Sequence, residues 1–161
     1  MITEEQRQQR MLGIGGSDMP IILGLSRYKT PYQLYLEKKG IVSTGDEMSP
    51  AQYWGNRLEE VIRDEFSKRN KVTIETPDTL VHPILNFMRA NVDGYIVEWD
   101  AVLEVKCSSQ FMANEWGEDF SDAIPMAYLV QVAHYCFVMN AKEAHIAVLI
   151  GGNDYRQYKY V

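Results

Sequence analysis

The sequence predicts an α/β or α+β domain, and three observations support this prediction. Two helices begin at a proline, after Thr30 and after Ser49, and a third helical segment near residues 125–139 is apolar on nearly every side. Between them, residues 91–107 have the pattern of a β-hairpin, and two further strand-like runs close the chain. Helices, then a sheet, then a helix and another strand form the order of a core that mixes the two kinds of element.

The two proline-initiated helices have recognisable starts and ends. Thr30-Pro31 and Ser49-Pro50 each place an N-cap residue before a proline at the first helical position. We expect the first helix to end at Gly40 and the second near Asn70. The second helix carries a stripe of apolar residues at helical spacing, which predicts the face that packs on the core. The stripe consists of Trp54, Leu58, Val61, Ile62 and Phe66.

The predicted sheet is assembled from short runs of strand-forming residues. The hairpin over residues 91–107 turns at the polar residues 98–100. A helix through residues 128–139 has no polar face, so we expect it to be buried. The remaining strands are predicted at 72–75, 145–150 and 155–161.

Length and composition are those of one globular domain. The chain has 161 residues, of which 46% are apolar and 24% are charged, and it contains no internal repeat, so we interpret residues 1–161 as a single domain. No run of eighteen apolar residues occurs, and we expect no association with a membrane. The polar N-terminus predicts no secretory signal. Cys107 and Cys136 stand far apart without a C-x-x-C pattern, which fits reduced thiols in the cytoplasm.

The charge balance weakens the case for a nucleic-acid partner without excluding it. The net charge is −6, whereas nucleic-acid-binding domains are usually basic. The distribution is uneven, because residues 1–40 contain six Lys or Arg and only four Asp or Glu. Divalent cations bound by acidic residues of the remaining chain would offset part of the negative charge.

The hairpin carries two carboxylates and an ammonium that packing alone does not require. Asp93 lies opposite the region of Val105 in the predicted hairpin, diagonal to Glu104 at the most. Glu104 and Lys106 are two residues apart and therefore project from the same face of the strand. The other face, which we expect to be directed towards the core, carries Leu103, Val105 and Cys107.

Two close carboxylates and a lysine suit the hydrolysis of phosphodiesters. Close carboxylates raise each other's pKa unless a positive charge lies between them. Mg²⁺ prefers oxygen ligands and typically takes one or two carboxylates together with water and phosphate. The lysine can hold or deprotonate the attacking water, or stabilise charge on the phosphate. Spacing alone leaves open a structural lysine–carboxylate pair on a solvated sheet face, because a D-x₁₀-E-x-K match is weak.

The hairpin also resembles the PD-(D/E)xK nuclease signature. Asp93-Gly94 is followed by Glu104-Val-Lys106, and Val92 stands where the family often has proline. Four further stretches, in the family's order over about residues 10–140, resemble the lambda exonuclease and YqaJ-type viral recombinase nucleases. They are Arg10-Met-Leu-Gly-Ile-Gly-Gly-Ser17, Trp54-Gly-Asn-Arg-Leu-Glu59, Ala90-Asn-Val-Asp-Gly94 and Ala127-Tyr-Leu-Val-Gln131. The resemblance implies a restriction-endonuclease-like core, in which helices flank a mixed central β-sheet.

The resemblance implies roles for further residues. Glu59 would be a third acidic metal ligand beside Asp93 and Glu104, although periodicity alone allows it to be a solvated helix glutamate and does not prefer it over Glu65. Gln131 would position the attacking water or the scissile phosphate beside Lys106, although a hydrogen-bonded core glutamine explains it equally well from the sequence. The backbone carbonyl of Val105 would complete the metal site.

A phosphate-binding site is implied near the N-terminus. Ser17 lies where a glycine-rich turn enters a short helix, a place where free backbone N–H groups bind anions, although an N-cap serine needs no such function. Related nucleases use this serine and the arginine seven residues before it, here Arg10, to hold a terminal 5′-phosphate. Arg27 and Lys29 could add contacts to the duplex backbone.

The function implied is that of a Mg²⁺- or Mn²⁺-dependent deoxyribonuclease with two metal ions, acting as a 5′→3′ exonuclease on linear double-stranded DNA. The resemblance also implies a phage or prophage recombination role in the bacterial cytoplasm, a single-strand annealing protein as partner, and a homotrimer. Two other functions stay open. One is a structure-specific or restriction-like endonuclease on the same core, and the other is a non-catalytic adaptor that binds DNA ends.

Overall fold

The protein is described from a computed structural model, in which residues 4–42 and 48–161 are placed. The helices are α1 (Glu4–Met11), α2 (Met19–Ile22), α3 (Pro31–Lys38), α4 (Pro50–Asn70) and α5 (Met126–Met139). The strands are β1 (Ile74–Glu75), β2 (Leu80–Val81), β3 (Arg89–Ala90), β4 (Gly94–Ile96), β5 (Ala101–Ser108), β6 (Ala144–Ile150) and β7 (Asp154–Tyr160). No helix in this part of the chain is long and apolar enough to cross a membrane.

A five-stranded mixed sheet forms the centre of the domain. Its strand order is β1-β4-β5-β6-β7, in which β5 and β6 are parallel and the other neighbours are antiparallel. One apolar cluster joins the sheet to α4, and a second joins it to α5, so a helix covers each face. The predicted class, a mixed sheet flanked by helices, is confirmed.

The predicted helix starts are present. The Thr30 hydroxyl accepts a hydrogen bond from the Gln33 amide at 3.2 Å, and the Ser49 hydroxyl accepts one from the Gln52 amide at 3.3 Å. The side chain of each glutamine in turn accepts a hydrogen bond from the backbone N–H of the cap residue, which makes each start a capping box. α4 ends at Asn70 as predicted.

The buried stripe of α4 is narrower than the sequence predicts. Ile62 and Phe66 are buried, and Leu58 packs against them, but Trp54 and Val61 are both 59% exposed. Because Ile62 and Phe66 stand four residues apart, they present one ridge to the sheet, and Val61 is rotated about 100° away from Ile62. The expectation that Trp54 and Val61 face the core is wrong.

Strand β5 departs from the expected pattern near its end. Leu103 and Val105 are buried in the cluster beneath α4, whereas Cys107 is exposed. That buried cluster includes Val105 and does not include Cys107, so the apolar cover ends before the strand does. The predicted inward position of Cys107 is therefore wrong.

The sequence did not predict the pair of two-residue strands β2 and β3. Leu80 pairs with Ala90 and Val81 with Arg89 in a small antiparallel sheet of their own. Strands of two residues are too short to show an alternating pattern, and Pro77 and Pro83 lie on either side of β2. This small sheet matters for the site because β3 carries Arg89.

Candidate active site

The hairpin of β4 and β5 brings the predicted carboxylates together. Gly94 pairs with Leu103, which places Asp93 beside the next residues of β5. Asp93 Oδ2 accepts a hydrogen bond from the Val105 amide at 2.8 Å, so the carboxylate is held against the strand. Gly94 is required here because a Cβ would lie only 2.5 Å from Ile74 Cγ2 on the adjacent strand β1.

Glu104 is the most deeply buried charged residue of the site, at 2% exposed. Its Oε1 accepts a hydrogen bond from Gln131 Nε2 at 2.6 Å and also pairs with the ammonium of Lys106. Its Oε2 is buried and has no hydrogen-bond partner among the residues that the structure describes. A buried charged oxygen without a partner is costly, so this atom marks a place where a cation or a donor can bind. A solvated surface pair, the alternative that spacing allowed, does not describe this burial.

The charges of the cluster perturb one another. Burial, together with the neighbouring charge of Glu104, raises the pKa of Asp93 to about 7. Burial alone would lower the pKa of Lys106, but the charges of Glu104 and Asp93 raise it to about 12. The lysine is therefore a stable cation at neutral pH, and it balances part of the negative charge of two close carboxyl groups.

Helix α5 supplies the amide of the site. Gln131 is buried, and its Nε2 donates to both Glu104 Oε1 and the Tyr135 hydroxyl, at 2.6 and 2.9 Å. Gln131 and Tyr135 are one helical turn apart and share a face of α5. The structure thus brings Asp93, Glu104, Lys106 and Gln131 together, as the sequence and the resemblance predicted.

Glu59 lies at the edge of this cluster. It has no direct hydrogen bond to Asp93 or Glu104, and Arg63 joins it to the hairpin instead. Arg63 Nη1 lies 3.3 Å from Glu59 Oε1 and donates to the Asp93 carbonyl at 3.1 Å. Burial, together with the charge of Asp93, raises the pKa of Glu59. Glu65, which periodicity places nearer the middle of the apolar stripe than Glu59, instead pairs with Arg69 on the surface.

The donor set fits a hard divalent cation. Among residues 4–42 and 48–161, no three His, Cys, Asp or Glu side chains are close enough to form a metal site by themselves. Lys106 pairs with Glu104, the carboxylate that a cation would also bind, and the lysine provides the positive charge beside it in this structure. The unpartnered Glu104 Oε2 and the adjoining Asp93 carboxyl are the oxygen ligands that Mg²⁺ or Mn²⁺ prefers.

A polar cleft opens beside the cluster at the glycine-rich turn. Arg10 and Ser17, the two residues predicted to hold a terminal 5′-phosphate, both line this cleft. The glycines allow close packing, since a Cβ at Gly13 would lie 2.2 Å from the Phe87 carbonyl oxygen and one at Gly16 would lie 2.3 Å from Tyr135 Cε1. The full lining is Gln9, Arg10, Gly13, Gly15, Gly16, Ser17, Asp18, Arg89, Asn91 and Tyr135.

Two cations that sequence reasoning missed support this cleft. Lys38 Nζ donates to the carbonyl oxygens of Arg10 and Gly13 at 2.6 and 2.8 Å, and it pairs with Asp18 at 2.7 Å. Arg89 donates to Gln9 Oε1, and its buried Nε has no partner among the described residues. Neither residue stands in a motif, so only the three-dimensional structure could reveal them.

The two remaining predicted DNA contacts lie apart from the cleft lining. Arg27 pairs with Glu115 at 2.8 Å, and Lys29 pairs with Glu37 at 2.6 Å. Both pairs are partly open to solvent, where ion pairs are weak and exchange readily with other partners. Their contact with a DNA backbone stays a prediction.

The fold and the site together define a domain of the restriction-endonuclease-like class. The chain belongs to the family of YqaJ-like viral recombinase domains, whose model matches residues 5–142. It is 41% identical to the protein YqaJ of Bacillus subtilis (strain 168) over an alignment of 158 residues. That alignment covers 96% of this chain and 49% of YqaJ. The chain therefore spans about half the length of this curated relative. The predicted membership in the YqaJ-type viral recombinase family is confirmed.

Solved structures share this fold. The alkaline exonuclease LHK-Exo of Laribacter hongkongensis superposes with a TM-score of 0.76 at 15% identity, covering 98% of this chain and 81% of that one. A phage-related exonuclease of Haemophilus somnus 129PT superposes with a TM-score of 0.62 at 14% identity, covering 89% and 71%. At these identities the comparisons establish the fold, which is the one that the sequence predicted.

Proposed function

We propose that this domain is a Mg²⁺- or Mn²⁺-dependent deoxyribonuclease that degrades linear double-stranded DNA from 5′-phosphorylated ends. One observation carries the proposal: a buried carboxylate with a free oxygen, Glu104, lies beside Asp93, Lys106 and Gln131. A family of viral recombinase domains and a fold shared with exonucleases support the same reaction.

Each residue of the cluster has a task in this proposal. Asp93 and Glu104, with the Val105 carbonyl, would hold the cations, and Glu59 would join them from α4. When bound, two such cations supply Lewis-acid stabilisation of the attacking and leaving oxygens. Lys106, which pairs with Glu104, would stabilise negative charge on the phosphate and hold or deprotonate the attacking water. Gln131 holds Glu104 through its amide nitrogen, and it would position the attacking water or the scissile phosphate beside Lys106.

The cleft beside the cluster suits the terminal phosphate. Arg10 contributes a positive charge, Ser17 a hydroxyl, and the turn its backbone amides other than that of Gly15, which donates to Asp18 Oδ2 at 2.9 Å. The unpartnered Nε of Arg89 adds a buried donor. Asp18 would repel an anion, but Lys38 neutralises it. In support, the Laribacter exonuclease has been crystallised with dAMP, a 5′-phosphorylated deoxynucleotide.

The proposal is tested with one linear duplex, prepared with and without 5′-phosphates, and the same DNA as a closed circle. Each is incubated with Mg²⁺ or with EDTA. We expect loss of the 5′-phosphorylated linear DNA only, and only with Mg²⁺. Lys106→Ala should abolish cleavage, whereas Lys142→Ala, at an exposed lysine with no contact to the cluster, should leave it unchanged.

The other outcomes separate the alternatives. Cleavage of the circle would retain the metal site but make the protein an endonuclease. Binding of DNA ends without cleavage, in the presence of bound Mn²⁺, would favour a non-catalytic adaptor. Absence of both cleavage and metal binding would overturn the proposal.

The cellular setting is also part of the proposal. A role in phage or prophage recombination in the bacterial cytoplasm would pair the nuclease with a single-strand annealing protein, and the enzyme would act as a homotrimer around DNA. Sedimentation of the purified protein should then give the mass of three chains. A single-chain mass at all concentrations, with or without linear DNA, would contradict the trimer.

A further inference from the structure

Tyr135 lies between the cleft and the carboxylate cluster and belongs to both. Its ring lines the cleft and packs so closely on the glycine-rich turn that a Cβ at Gly16 would meet Tyr135 Cε1 at 2.3 Å and Cζ at 2.6 Å. Its hydroxyl, at the end of the same ring, accepts a hydrogen bond from Gln131 Nε2 at 2.9 Å. One buried side chain therefore forms a wall of the cleft and a support of the cluster.

The hydroxyl has a proton left to donate. In its bond with Gln131 the phenolic oxygen is the acceptor, because the amide nitrogen carries only hydrogens. Within the described parts of the chain, the hydroxyl makes no other hydrogen bond. Burial and the charges of Glu104 and Asp93 raise the pKa of Tyr135 well above its usual value, so the proton is retained at any working pH. A buried donor without an acceptor costs free energy, and an acceptor atom of a bound ligand would satisfy it.

The charges on either side indicate which ligand atom fits. Arg10 lines the same cleft as Tyr135, and on the other side Gln131 joins the hydroxyl to Glu104. On the cluster side, Glu104 Oε1 is already occupied by Gln131 and Lys106. On the cleft side lie Arg10 and the unpartnered Nε of Arg89, which favour an anion, and the carboxylate of Asp18, which is already paired with Lys38 and with the Gly15 amide. An anionic oxygen in the cleft is thus the acceptor that the surroundings favour.

We infer that Tyr135 is a specificity-determining residue, whose hydroxyl donates to an oxygen of the terminal 5′-phosphate while it positions Gln131 against Glu104. The inference rests on the proposed function, because it requires a phosphate in the cleft. It adds to that function a direct link between recognition of the end and the cleavage centre. Occupation of the cleft would fix the hydroxyl, and through Gln131 it would fix the carboxylate that receives the cation.

The test compares two duplexes that differ only in a 5′-phosphate or a 5′-hydroxyl on the strand to be degraded, with phosphorothioate linkages blocking the other 5′ end. The measured quantity is the ratio of initial rates, phosphate over hydroxyl, with Mg²⁺. Tyr135→Phe keeps the ring against Gly16 and removes only the hydroxyl. We expect the ratio to fall by about tenfold or more, the size of one hydrogen bond to a charged group.

Tyr155→Phe is the matched control. It also removes a hydroxyl that accepts from a glutamine, Gln157 at 3.4 Å, but it packs with the cluster beneath α4 on the other side of the sheet. This variant should keep the wild-type ratio. Gly16→Ala, whose Cβ would meet the Tyr135 ring, is a second variant and should lower the ratio as well.

The outcomes distinguish the inference from the proposed function. If Tyr135→Phe slows both duplexes equally and the ratio is kept, Tyr135 is only structural and the inference is overturned. If the wild type cleaves both duplexes at the same rate, the nuclease activity stands, but the proposed requirement for a 5′-phosphate and this inference both fall. If the wild type cleaves neither duplex, the proposed function itself fails.

Discussion

Gln131 and Glu104 form a buried hydrogen bond of 2.6 Å, in which the amide occupies one carboxylate oxygen and leaves the other free. The bond joins helix α5 to the central strand β5, so the packing of the core and the geometry of the site depend on each other. A hydrophobic contact at this position would hold the helix equally well. The polar pair instead keeps Glu104 Oε2 directed at a fixed place, where a cation can bind.

Replacing Lys106 with Met should abolish activity and also destabilise the protein. Methionine keeps most of the volume of the side chain but leaves Glu104 buried without its cation. Breaking one partner of a buried ion pair costs about 3–5 kcal/mol, and Lys106 is partly exposed, so the lower end is expected. Urea unfolding of both proteins measures the difference. An unchanged midpoint would show that the pair contributes nothing to folding.

The hairpin and its charged residues could be predicted from the sequence, whereas the residues that surround the hairpin could not. The alternation of β5 and the position of the turn place Asp93, Glu104 and Lys106 together, because both are local properties. Arg63 and Arg89 could not be found in this way. Arg63 acts through a contact with the Asp93 carbonyl, thirty residues away, and Arg89 stands on a strand of two residues. Such contacts depend on how distant elements pack, which no local spacing records.

Gly94→Ala should destabilise the protein by about 1–3 kcal/mol, as expected for overpacking. The new Cβ would lie 2.5 Å from Ile74 Cγ2, and strand β1 or the hairpin must then shift. The double variant Gly94→Ala with Ile74→Ala removes the obstructing methyl group. If the clash is the cause, the two changes together should cost less than the sum of their separate effects in urea unfolding. Simple additivity would contradict this reason.

His134 should make the stability of the protein depend on pH. Burial lowers the pKa of His134, although the Arg89 carbonyl at 2.8 Å and the charge of Asp18 oppose the effect. The unfolded chain, with a histidine pKa of about 6.5, then binds the proton more readily than the folded one. Stability is therefore fully present above pH about 6.5 and is lost as the pH falls through the lower folded pKa.

The matched variant for this prediction is His134→Gln, whose amide can still donate to the Arg89 carbonyl. Urea unfolding between pH 5 and 8 should show a smaller loss of stability on the acid side for the variant than for the wild type, about 1.4 kcal/mol smaller for each unit of pKa shift. If the free energies of unfolding of the two proteins fall in parallel below pH about 6.5, a group other than His134 causes the loss of stability in acid.

Glu104→Gln should remove the stabilisation that divalent cations give to the folded protein. The substitution keeps the shape of the side chain and its place against Gln131. It replaces one of the two carboxylate oxygens with an NH₂ group and removes the negative charge that attracts a cation. A ligand that binds only the folded state stabilises it by about 2.7 kcal/mol at one hundred times its dissociation constant. Mn²⁺ should accordingly raise the melting temperature of the wild type and leave that of Glu104→Gln nearly unchanged.

Glu65→Gln serves as the control, since Glu65 is a surface glutamate of α4 paired with Arg69, and it should respond to Mn²⁺ like the wild type. An equal rise in all three proteins would mean that Mn²⁺ binds elsewhere, and Glu104 would then have no part in a metal site.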